Sequence, residues 1–156
     1  MILIPLEAWA AIVLASVLAA FWSPARTLAL ALGASWLLSI GAFYWLSLPV
    51  RPTANTVIDL GMFMMALSQW RKCCFAAGTI AGISIALIAA HFAFAWHGAA
   101  YQARYEDVVN LLFIGECIII GGAGLWHVVA NWSGRVAERT LPMRSASKPG
   151  GAHGSR

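Results

Sequence analysis

Charged residues are scarce in this chain: aspartate, glutamate, lysine and arginine make up 10% of its 156 residues. Soluble globular domains carry about 25% charged residues, which they need to cover a surface that faces water. The scarcity therefore argues against a water-soluble enzyme. Hydrophobic residues reach 61% and the mean hydropathy is +0.77, which excludes a disordered chain and is typical of a membrane protein.

Cysteine is also rare, with only Cys73, Cys74 and Cys117 in the chain. An odd number with two adjacent residues is a poor disulfide framework, and no Cys/His spacing suitable for zinc is present. The sequence also lacks a nucleophile elbow, a P-loop, a dinucleotide fingerprint and an HExxH motif. We therefore expect no enzymatic activity, no catalytic residues and no metal ion or cofactor, and we expect no nucleic-acid partner.

Long apolar segments dominate the chain instead. Each is close to the ~20 residues that cross a bilayer as a helix, and backbone groups in hydrocarbon must bond within their own segment. The first segment carries Glu7 rather than a positive n-region, so we interpret it as a retained span and not as a signal peptide. The sequence predicts one all-α transmembrane bundle over residues 1–132, followed by a flexible basic tail over residues 133–156. The predicted spans are residues 2–22, 27–49, 53–70, 73–96 and 108–132.

The basic residues predict the orientation of this bundle. With five spans, eight of the ten lysines and arginines fall on one side of the membrane, and only Arg51 and Arg104 fall on the other. The positive-inside rule places the larger group in the cytoplasm, which gives an N-out/C-in protein of the bacterial inner membrane. Tryptophans near the span ends fit the interfacial belt of such a protein. They are Trp22, Trp45, Trp70, Trp96 and Trp132.

Polar residues within the spans are the candidate functional residues, because such groups are costly in lipid and usually face the bundle interior. In the predicted topology they cluster by depth. Glu116 lies deepest, about ten residues into its span, or ~15 Å at helical rise. The others fall in the outer third of the bilayer, and they are Glu7, Asn55, Asp59, His91 and Asn110.

Two interpretations of this polar cluster are open. In the first, Asp59 or Glu7 exchanges a proton with His91, since imidazole takes up a proton near neutral pH, and Glu116 is the next acceptor inward. In the second, the same groups form interhelical hydrogen bonds that hold short helices in register.

Small residues in the fifth span predict close helix packing. A helix rich in glycine lets the backbone of a neighbour approach. The candidate packing residues are Gly115, Gly121, Gly122 and Gly124.

A set of polar and aromatic residues is spread from Thr53 to about Gly124, over roughly half the chain. These residues are Asn55, Asp59, Trp70, Arg71, Lys72, His91, Phe92, Trp96, Tyr101, Tyr105, Asn110 and Glu116. The arrangement resembles small membrane proteins encoded by tailed phages and prophages. The resemblance implies a phage-type context, and a lysis role comes with it, since holins are small phage membrane proteins with basic cytoplasmic tails. This chain has more spans than the usual holins.

The leading hypothesis from the sequence is a non-enzymatic membrane protein of phage type. It would act by self-association or within a larger membrane assembly, as a holin-like protein or as a subunit of a membrane complex. Its partners would be lipid and other membrane proteins. The alternative is a proton- or cation-handling transporter subunit that uses Asp59, His91 and Glu116.

Overall fold

The computed structural model describes residues 6–47, 50–97 and 102–140, without the side chains of residues 103 and 135–140. Within these residues the chain forms five helices and no strands, which confirms the all-helical prediction. The helices are α1 (Leu6–Ala20), α2 (Arg26–Trp45), α3 (Arg51–Ser68), α4 (Cys74–His97) and α5 (Gln102–Thr140).

The last helix is longer than the sequence predicts. It begins at Gln102, inside the expected hydrophilic connection, and runs through Thr140, eight residues into the expected flexible tail. Polar residues such as Gln102 and Glu106 are good helix formers, and their side chains join across one turn at 3.1 Å. Hydropathy marks where a helix leaves the membrane and not where it ends. Residues 141–156 of the tail lie outside the described residues.

Three helices are long and apolar enough to cross a membrane: α2, α4 and a 31-residue part of α5, Arg104–Gly134. Of the other two predicted spans, α1 is apolar but has 15 described residues. The 18-residue α3 includes Asn55 and Asp59, which lower its hydropathy. The protein is therefore a helical membrane protein with three candidate spans.

The helices pack in a closed ring. Each contacts the next one along the chain, and α5 returns to contact α1. Helices α1 and α5 run parallel, because the Trp9 ring lies 5.5 Å from the Phe113 ring while Ser16 faces Gly121 further along both helices. This ring brings α3, α4 and α5 together side by side at the end where α4 finishes and α5 begins.

Small side chains fill much of the centre of the ring. Ala20, Ala29, Ala66 and Ala77 are at most 1% exposed, and they pack with larger residues such as Ile80. Small residues let neighbouring backbones approach, which is how helices gain van der Waals contact in a lipid environment. The interior is thus built by close backbone approach more than by bulky side chains.

The outer surface is apolar, as expected for a protein that faces lipid. Large hydrophobic side chains such as Leu14, Leu37 and Ile118 are more than half exposed. An apolar surface this extensive is rare on soluble monomers. The tryptophans near the ends of the helices are also exposed, and they are Trp22, Trp45, Trp70, Trp96 and Trp132.

Candidate functional site

A hydrogen-bonded triad joins three helices at one end of the ring. Asp59 of α3 lies 2.8 Å from His91 Nε2 through its Oδ2 atom, and Tyr105 of α5 lies 2.6 Å from His91 Nδ1 through its hydroxyl. His91 of α4 is buried, with 2% of its side chain exposed, whereas Asp59 keeps 14%. The imidazole therefore has a hydrogen-bond partner on each ring nitrogen, and protein atoms enclose it almost completely.

The geometry of the triad suits proton uptake. With a proton on Nε2, the neutral imidazole donates to the Asp59 carboxylate, and Nδ1 accepts from the Tyr105 hydroxyl. A second proton on Nδ1 turns the ring into an imidazolium, whose charge Asp59 balances at 2.8 Å. The Tyr105 hydroxyl must then turn to accept. Proton uptake thus reverses one hydrogen bond of the triad.

A second buried carboxyl lies deeper in the bundle. Glu116 of α5 is 2% exposed, and it accepts a hydrogen bond from Ser84 of α4 at 3.3 Å. Ser84 precedes His91 by seven residues, so both project from one face of α4, about 10 Å apart at helical rise. The Glu116 and Asp59 carboxyls are near enough to interact electrostatically. A polar face of α4 therefore connects the triad with Glu116.

The triad opens onto a cavity of about 530 Å³. Asp59, His91 and Tyr105 form one wall, and Glu106 and Asp107 add carboxylates from the first turns of α5. The rest of the lining is mainly aromatic and aliphatic. Its aromatic members beyond Tyr105 are Trp9, Trp36, Phe43, Tyr44 and Phe113.

The structure separates the residues that the sequence groups together. Asn55, Asp59, His91 and Asn110 all line the cavity. Glu116 lies below it, and Glu7 is exposed on α1 and is not part of the lining. Depth alone grouped Glu7 with the others, but depth does not specify which face of a helix a residue occupies.

Two residues of the polar network, Tyr105 and Ser84, are absent from the sequence-based cluster. Tyr105 was assigned to a hydrophilic connection, and a lone serine in an apolar span carries little signal. Helical spacing is the signal that identifies them. Tyr105 and Glu116 are eleven residues apart, which is about three turns, and Ser84 lies two turns before His91.

The glycines of α5 differ in what they face. A Cβ added at Gly124 would overlap the Ala19 carbonyl and the Ala20 backbone, and one at Gly121 would lie 3.5 Å from the Ser16 Cα atom. One at Gly115 would lie 3.5 Å from Ile83, whereas one at Gly122 would meet no described atom within 4 Å. Among these glycines, Gly124 thus lies closest to the backbone of α1.

Among the described residues, no group of three His, Cys, Asp or Glu side chains is placed to hold a metal ion. Asp59 and His91 supply two ligand types, but the third atom of their network is a tyrosine hydroxyl.

Comparison of the chain with known protein families, with curated proteins and with solved structures finds no match in any of the three.

Proposed function

We propose that the protein is a five-span, N-out/C-in protein of the bacterial inner membrane in which α1 and α3 complete the bundle. The closed ring supports this proposal, since α3 packs between α2 and α4, and α1 packs between α2 and α5. A helix enclosed on two sides needs less hydropathy than one surrounded by lipid, because its polar residues face protein. Asn55 and Asp59, which make α3 polar, both line the cavity at this end of the bundle.

We further propose that this protein takes up and releases protons as part of a proton- or cation-handling transport activity. The observation that carries the proposal is the Asp59–His91–Tyr105 triad on the cavity wall. A buried imidazole held between a carboxylate and a phenol can accept a proton from the cavity, and the carboxylate compensates the charge. Glu116, with Ser84, is the next proton acceptor along α4 and α5.

Flux through liposomes tests the transport proposal. Protein reconstituted with a pH-sensitive dye inside the vesicles is expected to dissipate an imposed pH gradient. Asp59→Asn keeps the size and a hydrogen-bonding atom next to His91 but removes the charge that balances an imidazolium. We therefore expect this variant to lose the flux by about tenfold or more, which corresponds to at least about 1.4 kcal/mol, while it remains folded.

Glu7→Gln is the matched control for that experiment. It makes the same chemical change at an acid that is exposed and does not line the cavity. Equal flux in the two variants, or no flux in the unmodified protein, would overturn the transport proposal.

The native cysteines test the orientation. Cys73 lies in the turn between α3 and α4, and Cys74 begins α4 and is exposed, whereas Cys117 is 1% exposed. A membrane-impermeant maleimide is expected to label inside-out vesicles and not right-side-out ones, because the N-out topology puts this turn in the cytoplasm. Labelling from the opposite side would reverse the topology, and the double variant Cys73→Ser/Cys74→Ser is the unlabelled control.

The two cysteines are also expected to react at different rates. Burial, and next the charge of Cys74, raise the pKa of the Cys73 thiol, which lies 3.6 Å from the Gln69 carbonyl. A raised pKa leaves less of the reactive thiolate at neutral pH. In single-cysteine variants, maleimide should therefore modify Cys73 more slowly than Cys74, and the difference should shrink as the pH rises through the Cys73 pKa. Equal rates at neutral pH would contradict the partly buried position of Cys73.

A second candidate function is assembly with other membrane helices, as a phage-type or holin-like protein. The observation that favours it is the open face of α5 at Gly122, which borders a shallow groove with Phe75 and Trp126. Small residues on an open face suit contact with another helix. Under this candidate, Asp59→Asn would lower the stability or the assembly of the bundle, with no flux to lose.

A further inference from the structure

The aromatic lining of the cavity suggests what it binds. At about 530 Å³ the cavity has the size of a small-molecule site, since such pockets span about 300–1,000 Å³. Indole, phenol and phenyl faces attract cations through their quadrupoles, and indole does so most strongly. Trp9 and Trp36 are both in the wall, with four further aromatic rings around them.

One of these rings already holds a cation of the protein itself. The Arg51 guanidinium lies 4.6 Å from the centre of the Phe43 ring, and its Nε donates to the Leu46 carbonyl at 2.8 Å. Phe43 is part of the cavity wall. The aromatic shell at this end of the bundle is therefore positioned to receive positive charge.

The charge of the lining selects the sign of the ligand. Asp59, Glu106 and Asp107 line the cavity, and His91 is the only basic side chain among the described lining residues. When His91 is protonated, it balances Asp59 at 2.8 Å, and the other two carboxylates remain in excess. Asn55 adds a buried Oδ1 atom that has no hydrogen-bond partner among the described residues. With Arg51 on the Phe43 ring counted beside a protonated His91, the three carboxylates still exceed the two cations by one. An anion would therefore meet net repulsion here, whereas a cation would meet carboxylates and aromatic faces together.

We propose that the cavity binds an organic cation, an ammonium ion that carries apolar substituents. The substituents lie against Trp9, Trp36 and Phe113, and the charged nitrogen lies toward Asp59 and Glu106.

The inference rests on the proposed function in one respect: a cation next to Asp59 competes with the proton on the Asp59–His91 pair. The titratable and polar groups that line the same cavity are Tyr105, Glu106 and Asp107 of α5, Tyr44 of α2 and Asn55 of α3. Arg51 of α3 lies on the Phe43 ring of its wall, and Glu116 lies below, with Ser84. Binding is therefore expected to weaken as the pH falls, because protonation reduces the negative charge of the site.

Calorimetric titration of the purified protein in detergent micelles tests the proposal, with benzyltrimethylammonium as the probe. We expect saturable binding of this cation, and no saturable binding of its uncharged analogue neopentylbenzene or of the anion benzenesulfonate. Equal behaviour of the cation and the uncharged analogue would overturn the proposal, because the cavity would then be recognising apolar surface alone.

Matched variants locate the binding. Trp36→Leu should weaken binding about three- to thirtyfold, the range for the loss of one cation–π contact between an exposed and a desolvated setting. Trp126→Leu, at an exposed position outside this cavity, should not weaken it. Glu106→Gln should weaken binding of the cation, whereas Glu7→Gln should not. Glu106 lies near the start of α5, so this variant tests the contribution of charge even if Trp36→Leu fails to fold. Failure of both cavity variants to differ from their controls would overturn the assignment to this cavity.

The binding and flux experiments separate the two proposals. Binding without proton flux would overturn the transport proposal and leave the cation site, whereas proton flux without binding would overturn the cation site and leave the transport proposal.

Discussion

Gly124→Ala is expected to destabilise the protein, whereas Gly122→Ala, two positions away from it in the same helix, is expected to leave it equally stable or slightly more so. An added methyl group at Gly124 would overlap backbone atoms of Ala19 and Ala20. Backbone cannot rotate away as a side chain can, so α1 must separate from α5. Overpacking of this kind costs about 1–3 kcal/mol, occasionally more.

Apart from this overlap, Gly124→Ala and Gly122→Ala change the helix in the same way. Each replaces a glycine within α5, and alanine is intrinsically about 0.5–1 kcal/mol better than glycine inside a helix. At Gly122 the added methyl meets nothing within 4 Å among the described residues, so only this gain remains. Unfolding in mixed detergent micelles, followed by tryptophan fluorescence, measures the difference. Equal stabilities would mean that α1 and α5 do not touch at Gly124.

The second large effect is expected at His91. His91→Leu leaves the Asp59 carboxylate without the donor that lies 2.8 Å away and removes the partner of the Tyr105 hydroxyl. Hydrogen bonds between membrane helices contribute about 0.6–1.7 kcal/mol, and breaking a buried ion pair costs about 3–5 kcal/mol. The group left without a partner is a carboxylate. We therefore expect the free energy of unfolding to fall by about 2–4 kcal/mol, between the cost of losing one hydrogen bond and that of breaking a buried ion pair.

A double-mutant cycle separates the pair from its surroundings. Asp59→Leu/His91→Leu should be less destabilising than the sum of the two single variants, because neither polar group is left alone. Additive single effects would show that the two side chains act independently and that the 2.8 Å contact does not form in the membrane. This cycle measures stability, so its result does not depend on whether the protein carries a proton flux.

The sequence predicts the helices well because each apolar run is long and continuous. Asp59 and His91 could also be identified as unusual, since ionisable groups within such runs are expensive. Their partners could not be identified from depth. Glu7 lies at a similar predicted depth but on an exposed face of α1, and Tyr105 lies in a stretch whose polarity indicated a loop. The missing information was the rotation of each helix about its axis, which packing determines.

The same limit applies to the glycines. A run of small residues predicts that α5 has a close neighbour, and Gly124 contacts α1 closely. The run cannot indicate that Gly122 faces outward, because adjacent positions on a helix point about 100° apart and each must be placed against a particular partner. Similarly, hydropathy could locate the apolar part of α5 but not its polar extensions.

Because α5 is long, a small rotation at one of its ends displaces the other end by several ångströms. Its 39 residues form a rod of about 58 Å, nearly twice the ~30 Å hydrocarbon layer. Tyr105 sits near one end, and the backbone at Thr140 is about 52 Å away at helical rise. A tilt of about 5° about the Tyr105 end would move the far end by about 4–5 Å, given that rise. Repacking around His91 by even a small angle would therefore be magnified into a displacement large enough for another molecule to detect on the opposite side of the membrane.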